Sequence, residues 1–310
     1  MSKLILIDGN AILHRAYHAL PPLTTKRGEP INAVYGFISM LLRIIQDLKP
    51  THIAVAFDRK EPTFRHEEFK EYQAQRPEID KELSGQFEKA RDVISAFGIS
   101  IYDKAGFEAD DVIGTLAAQA TRAPKSKIQN PKSKIEEVVI VTGDRDILQL
   151  VTDKVKVYMP IRGLKDTQLM GKDEVVEKMG VPPNQIDDYK ALVGDPSDNY
   201  PGVPGIGPKT AIKLLDKYGN LDNIYKHLSD LPIQTRAKLE KGREDATISK
   251  RLATIIKDVP IEFDITKMAN WDVDSQKVLD LFSNYGFKTL TERVKKVGKE
   301  LDEEKQMRLV

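Results

Sequence analysis

The sequence predicts an α/β fold: a mostly parallel central sheet flanked by helices, followed by a smaller helical module. Three observations carry this reading. Short continuous apolar runs, which suit strands covered on both faces, alternate with stretches of helical periodicity. Three of those runs end in aspartate, at Asp8, at Asp58 and at the pair Asp144 and Asp146. From Pro182 onward the chain becomes helical and turn-rich, with no further strong strand. Strands alternating with helices imply parallel pairing through crossovers. In a doubly wound sheet the ligand site lies beyond the carboxyl ends of the strands.

The elements follow in order. Lys3 to Ile7 is an apolar run, read as a strand. Ala33 to Leu48 places Val34, Phe37, Ile38, Leu41, Leu42 and Ile45 at helical spacing, and Lys49-Pro50 stops it. His52 to Phe57 reads as a second strand and Ile99 to Tyr102 as a short third. Asp110 to Ala120 reads as a helix with an acidic first turn, which the helix dipole favours. Val138 to Thr142 is another strand, and Val155 to Met159 one more. Residues 59–91 hold eight basic and eight acidic residues and read as a solvated helix pair. Residues 122–134 hold five basic residues, no acid and two prolines, which reads as a flexible basic loop. The last twenty residues, from Thr291, read as a solvated helix or frayed tail.

Composition narrows the function. A length of 310 residues favours two domains, or one large domain with an appendage. The absence of cysteine excludes disulfides, thiolate nucleophiles and cysteine-ligated metals, and fits a reducing cytoplasm. No apolar stretch reaches the roughly 18 residues of a membrane span. The start MSKLILIDGN lacks a signal-peptide cleavage pattern, so a cytoplasmic protein is expected. The five histidines show no ligand spacing of the HExxH kind. The net charge of +1 hides an asymmetry: with nine acids set aside as one site, the rest carries 48 − (47 − 9) = +10. A basic body around an acidic pocket suits an enzyme acting on a polyanion.

Those nine acids are Asp8, Asp58, Glu108, Asp110, Asp111, Asp144, Asp146, Asp195 and Asp198, several within the strings GFEADD, TGDRD and GDPSDN. Singly, an acid at a helix start also serves as a cap and one after a strand as a turn residue. Together, on a parallel sheet, they point at one rim. Carboxylates packed that closely repel and their pKa values rise unless something neutralises them. A thiol-free, carboxylate-rich site suits Mg²⁺ or Mn²⁺. So many acids imply two or more ions about 4 Å apart, which can activate water on one side of a phosphodiester and stabilise the leaving alkoxide on the other.

Two further strings concern binding. In VPGIGPKTA, Pro208 between Gly207 and Lys209 breaks the Walker pattern GxxxxGK[ST]. The string reads instead as a helix–hairpin–helix, with Gly205 and Gly207 making a tight turn at positive φ. The following helix, from Pro208 to Tyr218, would offer backbone N–H groups and Lys209 to a phosphate. In TFRHEEFKEYQAQRP, Arg65, Lys70 and Arg76 could grip phosphates, while Tyr72 or Phe69 could stack on a base or simply pack.

LILIDGN with Arg15, AFD at 56–58, TFR at 63–65, EADD, TGDRD and GDPSDNYPGVPGIGPKTA together resemble the bacterial 5′ nucleases. That family comprises the N-terminal domain of DNA polymerase I and its stand-alone relatives, kin to flap endonucleases. The resemblance implies an α/β catalytic domain over residues 1–181 with a helical arch at about 59–92, a helix–three-turn–helix DNA-binding domain over 182–290, and a charged tail at 291–310. It implies that Asp8, Asp58, Glu108, Asp110 and Asp111 match the catalytic-metal acids, and Asp144, Asp146, Asp195 and Asp198 those of the adjacent metal region. Arg15 and Arg76 match positions that bind the scissile phosphate, and Arg65 a DNA contact. The hairpin region, with Gly202, Gly205, Gly207, Lys209 and Thr210, resembles a K⁺-assisted contact to duplex DNA. Gln73 stands where the family often has lysine, with Lys70 one turn earlier. The implied activity is 5′→3′ exonuclease and flap endonuclease, in a monomer acting on DNA beside a separate polymerase. A branched-DNA binder without turnover and a related ribonuclease are the competing readings.

Overall fold

The computed structural model describes residues 2–122, 135–163 and 166–307. The sheet strands are β1 (Lys3–Asp8), β2 (His52–Ala56), β3 (Ser100–Tyr102), β4 (Glu137–Val141), β5 (Val155–Arg162) and β6 (Asp166–Met170). Their order is β3-β2-β1-β4-β5-β6. The first five are parallel, and β6 pairs antiparallel with β5 at the edge. The parallel strands are those expected from the apolar runs; the mostly polar β6 carries no such run.

The helices of the α/β body are α1 (Gly9–Ala19), α2 (Asn32–Leu48), α3 (Phe64–Glu68), α4 (Lys81–Ala96), α5 (Ala109–Thr121) and α6 (Lys172–Met179). The helical module follows with α7 (Ile186–Val193), α8 (Pro208–Tyr218), α9 (Leu221–Lys226), α10 (Ile233–Lys241) and α11 (Arg243–Ala253). The chain then returns to the body through α12 (Ile265–Met268), α13 (Gln276–Tyr285) and α14 (Lys288–Met307). Strand side chains alternate between two cores, as the pleat requires. Leu4, Leu6, Val138 and Ile140 pack with Val112, Ile113 and Leu116 of α5. Ile5, Ile7, Val139 and Val141 pack with Val34, Phe37 and Ile38 of α2. Both faces are therefore dry, which explains the unbroken apolar runs.

Two expectations change. The 59–91 segment is not a solvated helix pair: α4 buries Leu83, Gln86, Ala90, Val93 and Ile94. Gln86 is fully buried, and its amide oxygen accepts the Ala33 N–H at 2.8 Å, satisfying an orphan donor at the start of α2. The presumed tail belongs to α14, where Val294 and Val297 are 0% and 2% exposed in the α2 core, and the frayed-tail reading falls. The basic 122–134 loop lies outside the described residues beyond Arg122.

Strand order reverses around β1, with β2 on one side and β4 on the other. Asp8 ends β1, and Asp144 and Asp146 follow β4, so the crevice between these two strand ends is the expected site.

Candidate active site

Asp8 caps α1: one oxygen accepts the Ala11 N–H at 2.9 Å and the other the Thr142 hydroxyl at 2.7 Å. Thr142 in turn accepts the Asp144 N–H at 3.0 Å, which fixes the loop after β4 against the end of β1. Asn10 accepts the Asp58 N–H at 3.0 Å, and the Asp58 carboxylate accepts the Ala109 N–H at 2.7 Å at the start of α5. The β1, β2 and β4 ends and the α5 N-terminus are thus tied together by their own polar groups. The acids Asp8, Asp58, Glu108, Asp110 and Asp144 face one another there.

Repulsion among them is legible in their proton affinities. Burial pushes Asp8 up to about 7, with Asp58 and Asp144 adding to it against the Ala11 and Thr142 hydrogen bonds. Burial pushes Glu108 up to about 7 as well, partly offset by Arg65. Asp110 is held well above the carboxylate range by burial, then by Asp144, Asp8, Glu108 and Asp58. Among the described residues the Asp110 carboxylate has no hydrogen bond and no ion pair.

The second group is Asp146, Asp195 and Asp198, which can bring one oxygen each within 4.8 Å of the others, a geometry that could hold a metal ion. Its local frame is a closed loop. Gly194 and Gly202, at φ 78° and 63°, press backbone against backbone, and Asp195 and Tyr200 exchange hydrogen bonds at 3.0 and 3.2 Å. A side chain at either glycine would strike the facing main chain. Unlike Asp110, this group carries cations already. Lys190 lies 2.5 Å from Asp146 and also grips Asp195, and Arg76 lies 2.5 Å from Asp198. Asp146 nonetheless rises to about 7, chiefly by burial and Asp144. Asp195 sits below its ordinary value: burial opposes this, but Lys190 and Ser197 outweigh it.

Five expectations about single residues are corrected. Asp111 is fully buried, and all four of its acceptor positions are filled by Arg65, Glu108 N–H and Ile256 N–H, so no lone pair is left for a metal. Arg65 is 2% exposed and cannot reach DNA. Tyr72 is 4% exposed and packs edge-on against His66, so it offers no face to a base. Gly202 is buried, donating its N–H to Ser249 at 3.0 Å. Gly205 does take the positive φ of 82°, but Gly207 is extended at −95° and acts as the N-cap of α8.

The other expected contacts face outward. Lys70, Lys209 and Arg76 are exposed, and Thr210 is half-buried in the first turn of α8. Arg15 donates to the Gly163 carbonyl at 2.7 Å and lies beside Gly143 of the TGDRD loop. Gln73, at φ 54°, donates its N–H to the Asp198 carbonyl at 2.9 Å and its amide to the Asp198 carboxylate at 3.3 Å. Sequence reasoning missed Lys190, Thr142 and Asn10. The signal was present: each lies within five residues of a site acid, in KALVGD, TGD and DGN.

Residues 3–180 match the family described as 5′-3′ exonuclease, N-terminal resolvase-like domain, and residues 181–276 its C-terminal SAM fold. The chain is 40% identical over 306 residues to DNA polymerase I of Bacillus subtilis, covering 98% of this chain and 34% of that protein. It is 41% identical over 299 residues to DNA polymerase I of Bacillus caldotenax, covering 96% and 33%. It thus spans about a third of the length of these relatives. Among solved structures it is similar to the bacteriophage T5 flap endonuclease in complex with DNA and metal ions (TM-score 0.65, 19% identity, 95% and 97% of the two chains). It is also similar to the T5 5′-exonuclease with bound zinc (0.63, 21%, 95% and 98%) and the catalytic core of Rad2 with DNA substrate (0.55, 16%, 96% and 90%). A sheet whose strand ends gather carboxylates at the β1/β4 crevice, joined to a SAM-like helical module, agrees with these matches over most of the chain, and the chain belongs to the 5′-3′ exonuclease family.

Proposed function

We propose that the chain is a metal-dependent 5′ nuclease that hydrolyses DNA phosphodiesters at 5′ ends and 5′ flaps, leaving 5′-phosphate and 3′-hydroxyl. The observation that carries this is the set of facing acids around Asp110, a partly buried carboxylate that pairs with no cation among the described residues. Oxygen-only donors suit Mg²⁺ or Mn²⁺. Asp8, Asp58, Glu108, Asp110 and Asp144 would hold one ion, and Asp146, Asp195 and Asp198 a second once Lys190 and Arg76 give way. Bound there, divalent ions supply an activated water and stabilise the leaving alkoxide.

The chain's own residues do the rest. Arg15 and Arg76, flanking the acids, orient the scissile phosphate; Arg76 leaves Asp198 to do so. Gln73 cannot add the charge a lysine would, so Lys70 and Arg76 carry that side. Lys209 and the N–H groups opening α8, with K⁺ at the Gly205 turn, bind the duplex phosphates without reading sequence. The helices between residues 59 and 92 form the arch over the 5′ end, and residues 182–290 the duplex-binding module. We place the activity in the cytoplasm, in a monomer serving replication and repair beside a polymerase activity. No helix among the described residues is long and apolar enough to cross a membrane.

Product mapping on a 5′-labelled flap duplex tests this. Cleavage near the flap junction with Mg²⁺ and none with EDTA is expected. Tight binding without cleavage would favour the non-catalytic reading, and preference for an RNA flap the ribonuclease.

A further inference from the structure

We propose that Arg65 and Asp111 are a positioning pair that sets the α5 acids against the helical module. The proposal rests on the nuclease reading and deepens it. The Arg65 guanidinium is wholly spent inside the protein. Its Nη1 and Nη2 donate to the two Asp111 oxygens at 2.7 and 2.9 Å, its Nε to the Leu252 carbonyl at 2.8 Å, and Nη2 also to the Thr254 carbonyl at 3.1 Å. Nη1 further lies 3.5 Å from Glu108. Asp111 closes the circuit by accepting the Ile256 N–H at 2.9 Å and the Glu108 N–H at 3.1 Å. One buried fork thus joins α3, the start of α5 and the irregular segment leaving α11.

The contact continues along α5. Asp111, Gly114 and Thr115 stand at i, i+3 and i+4 and share one face. A Cβ at Gly114 would lie 2.7 Å from Ile255 Cγ2, so the segment 252–259 lies directly on the helix. Thr115 accepts the Val259 N–H at 3.1 Å, and Gln149 brackets the same segment through Ala253 and Ile255 at 2.9 and 3.0 Å. One turn back in α11 the hairpin region is reached, where Ser249 accepts the Gly202 N–H. Glu108 and Asp110 sit on the turn of α5 that this seam fixes. A bidentate pair constrains rotation as well as distance, which a lysine cannot reproduce.

The full chain carrying Arg65→Lys, Arg65→Ala or Thr115→Val tests this. The readouts are kcat and KM for a 5′-flap duplex with Mg²⁺, and Kd for the same duplex in EDTA across a salt series. Arg65→Lys and Arg65→Ala are expected to lower kcat about 10²-fold, since small displacements of reacting groups cost that much. KM, Kd and the salt slope stay at wild-type values. Thr115→Val, which touches no acid of the site, lowers kcat about 10-fold with Kd unchanged. Should Arg65→Ala fail to fold, the other two variants carry the test. Wild-type kcat in Arg65→Lys overturns the proposal. So does a weaker Kd with the salt slope reduced by about one, the mark of a lost phosphate contact. A wild-type protein that leaves the flap uncut with Mg²⁺ overturns the nuclease reading itself, and this proposal with it.

Discussion

Asp110 shows how one carboxyl group can act against stability and for function. It is held among Asp144, Asp8, Glu108 and Asp58 with burial as the main cost, and among the described residues nothing cationic offsets it. Asp110→Asn removes the repulsion but keeps the shape. The metal-free variant is expected to melt higher than the metal-free wild type, while cleavage falls at least about 10²-fold, as when a charge-stabilising group is removed from a site. Thermal unfolding in EDTA and a flap assay with Mg²⁺ read the two opposite signs. A sequence gives the position of such acids but not which lone pairs are already taken. Asp110 and Asp111 are neighbours of identical type; one faces the rim, and the other is locked into Arg65 and the Ile256 N–H. Spacing along a helix start does not separate them, because the partner comes from residue 256.

At the scale of elements, the sheet strands were legible because both faces are buried and the apolar runs are continuous. Helix α1 was less so: its signal is the Asp8 cap and three buried side chains at Ile12, Leu13 and Ala16. The last helix hid its role behind charge. Only a narrow stripe of α14 is apolar, yet it closes the α2 core with Leu290, Val294 and Val297. A chain ending at residue 290 is therefore expected to lose about 3–5 kcal/mol, from two buried valines and their neighbours, read as a lower urea midpoint. Helix α8 makes a separable prediction. Lys209 is exposed at its N-terminus and plays no part in packing. Lys209→Ala is expected to weaken duplex binding alike for all sequences and to lower the salt slope by about one, measured by anisotropy, with melting unchanged.

In the whole molecule folding is coupled to ion binding. Asp8, Glu108 and Asp146 each rise from below 5 to about 7 in the folded protein. A raised carboxyl pKa means that the folded state binds more protons than the unfolded state between those values. Stability of the metal-free protein is then present at about pH 4 and is lost as pH rises through about 7. A divalent cation competes with those protons and restores stability by mass action. The most direct test is the melting temperature of EDTA-stripped protein from pH 5 to 8, with and without Mg²⁺. It is expected to fall toward pH 8 without metal, and Mg²⁺ is expected to raise it strongly at pH 8 and hardly at pH 5. A melting temperature that rises toward pH 8 in EDTA and ignores Mg²⁺ throughout would contradict a site built from mutually repelling carboxylates.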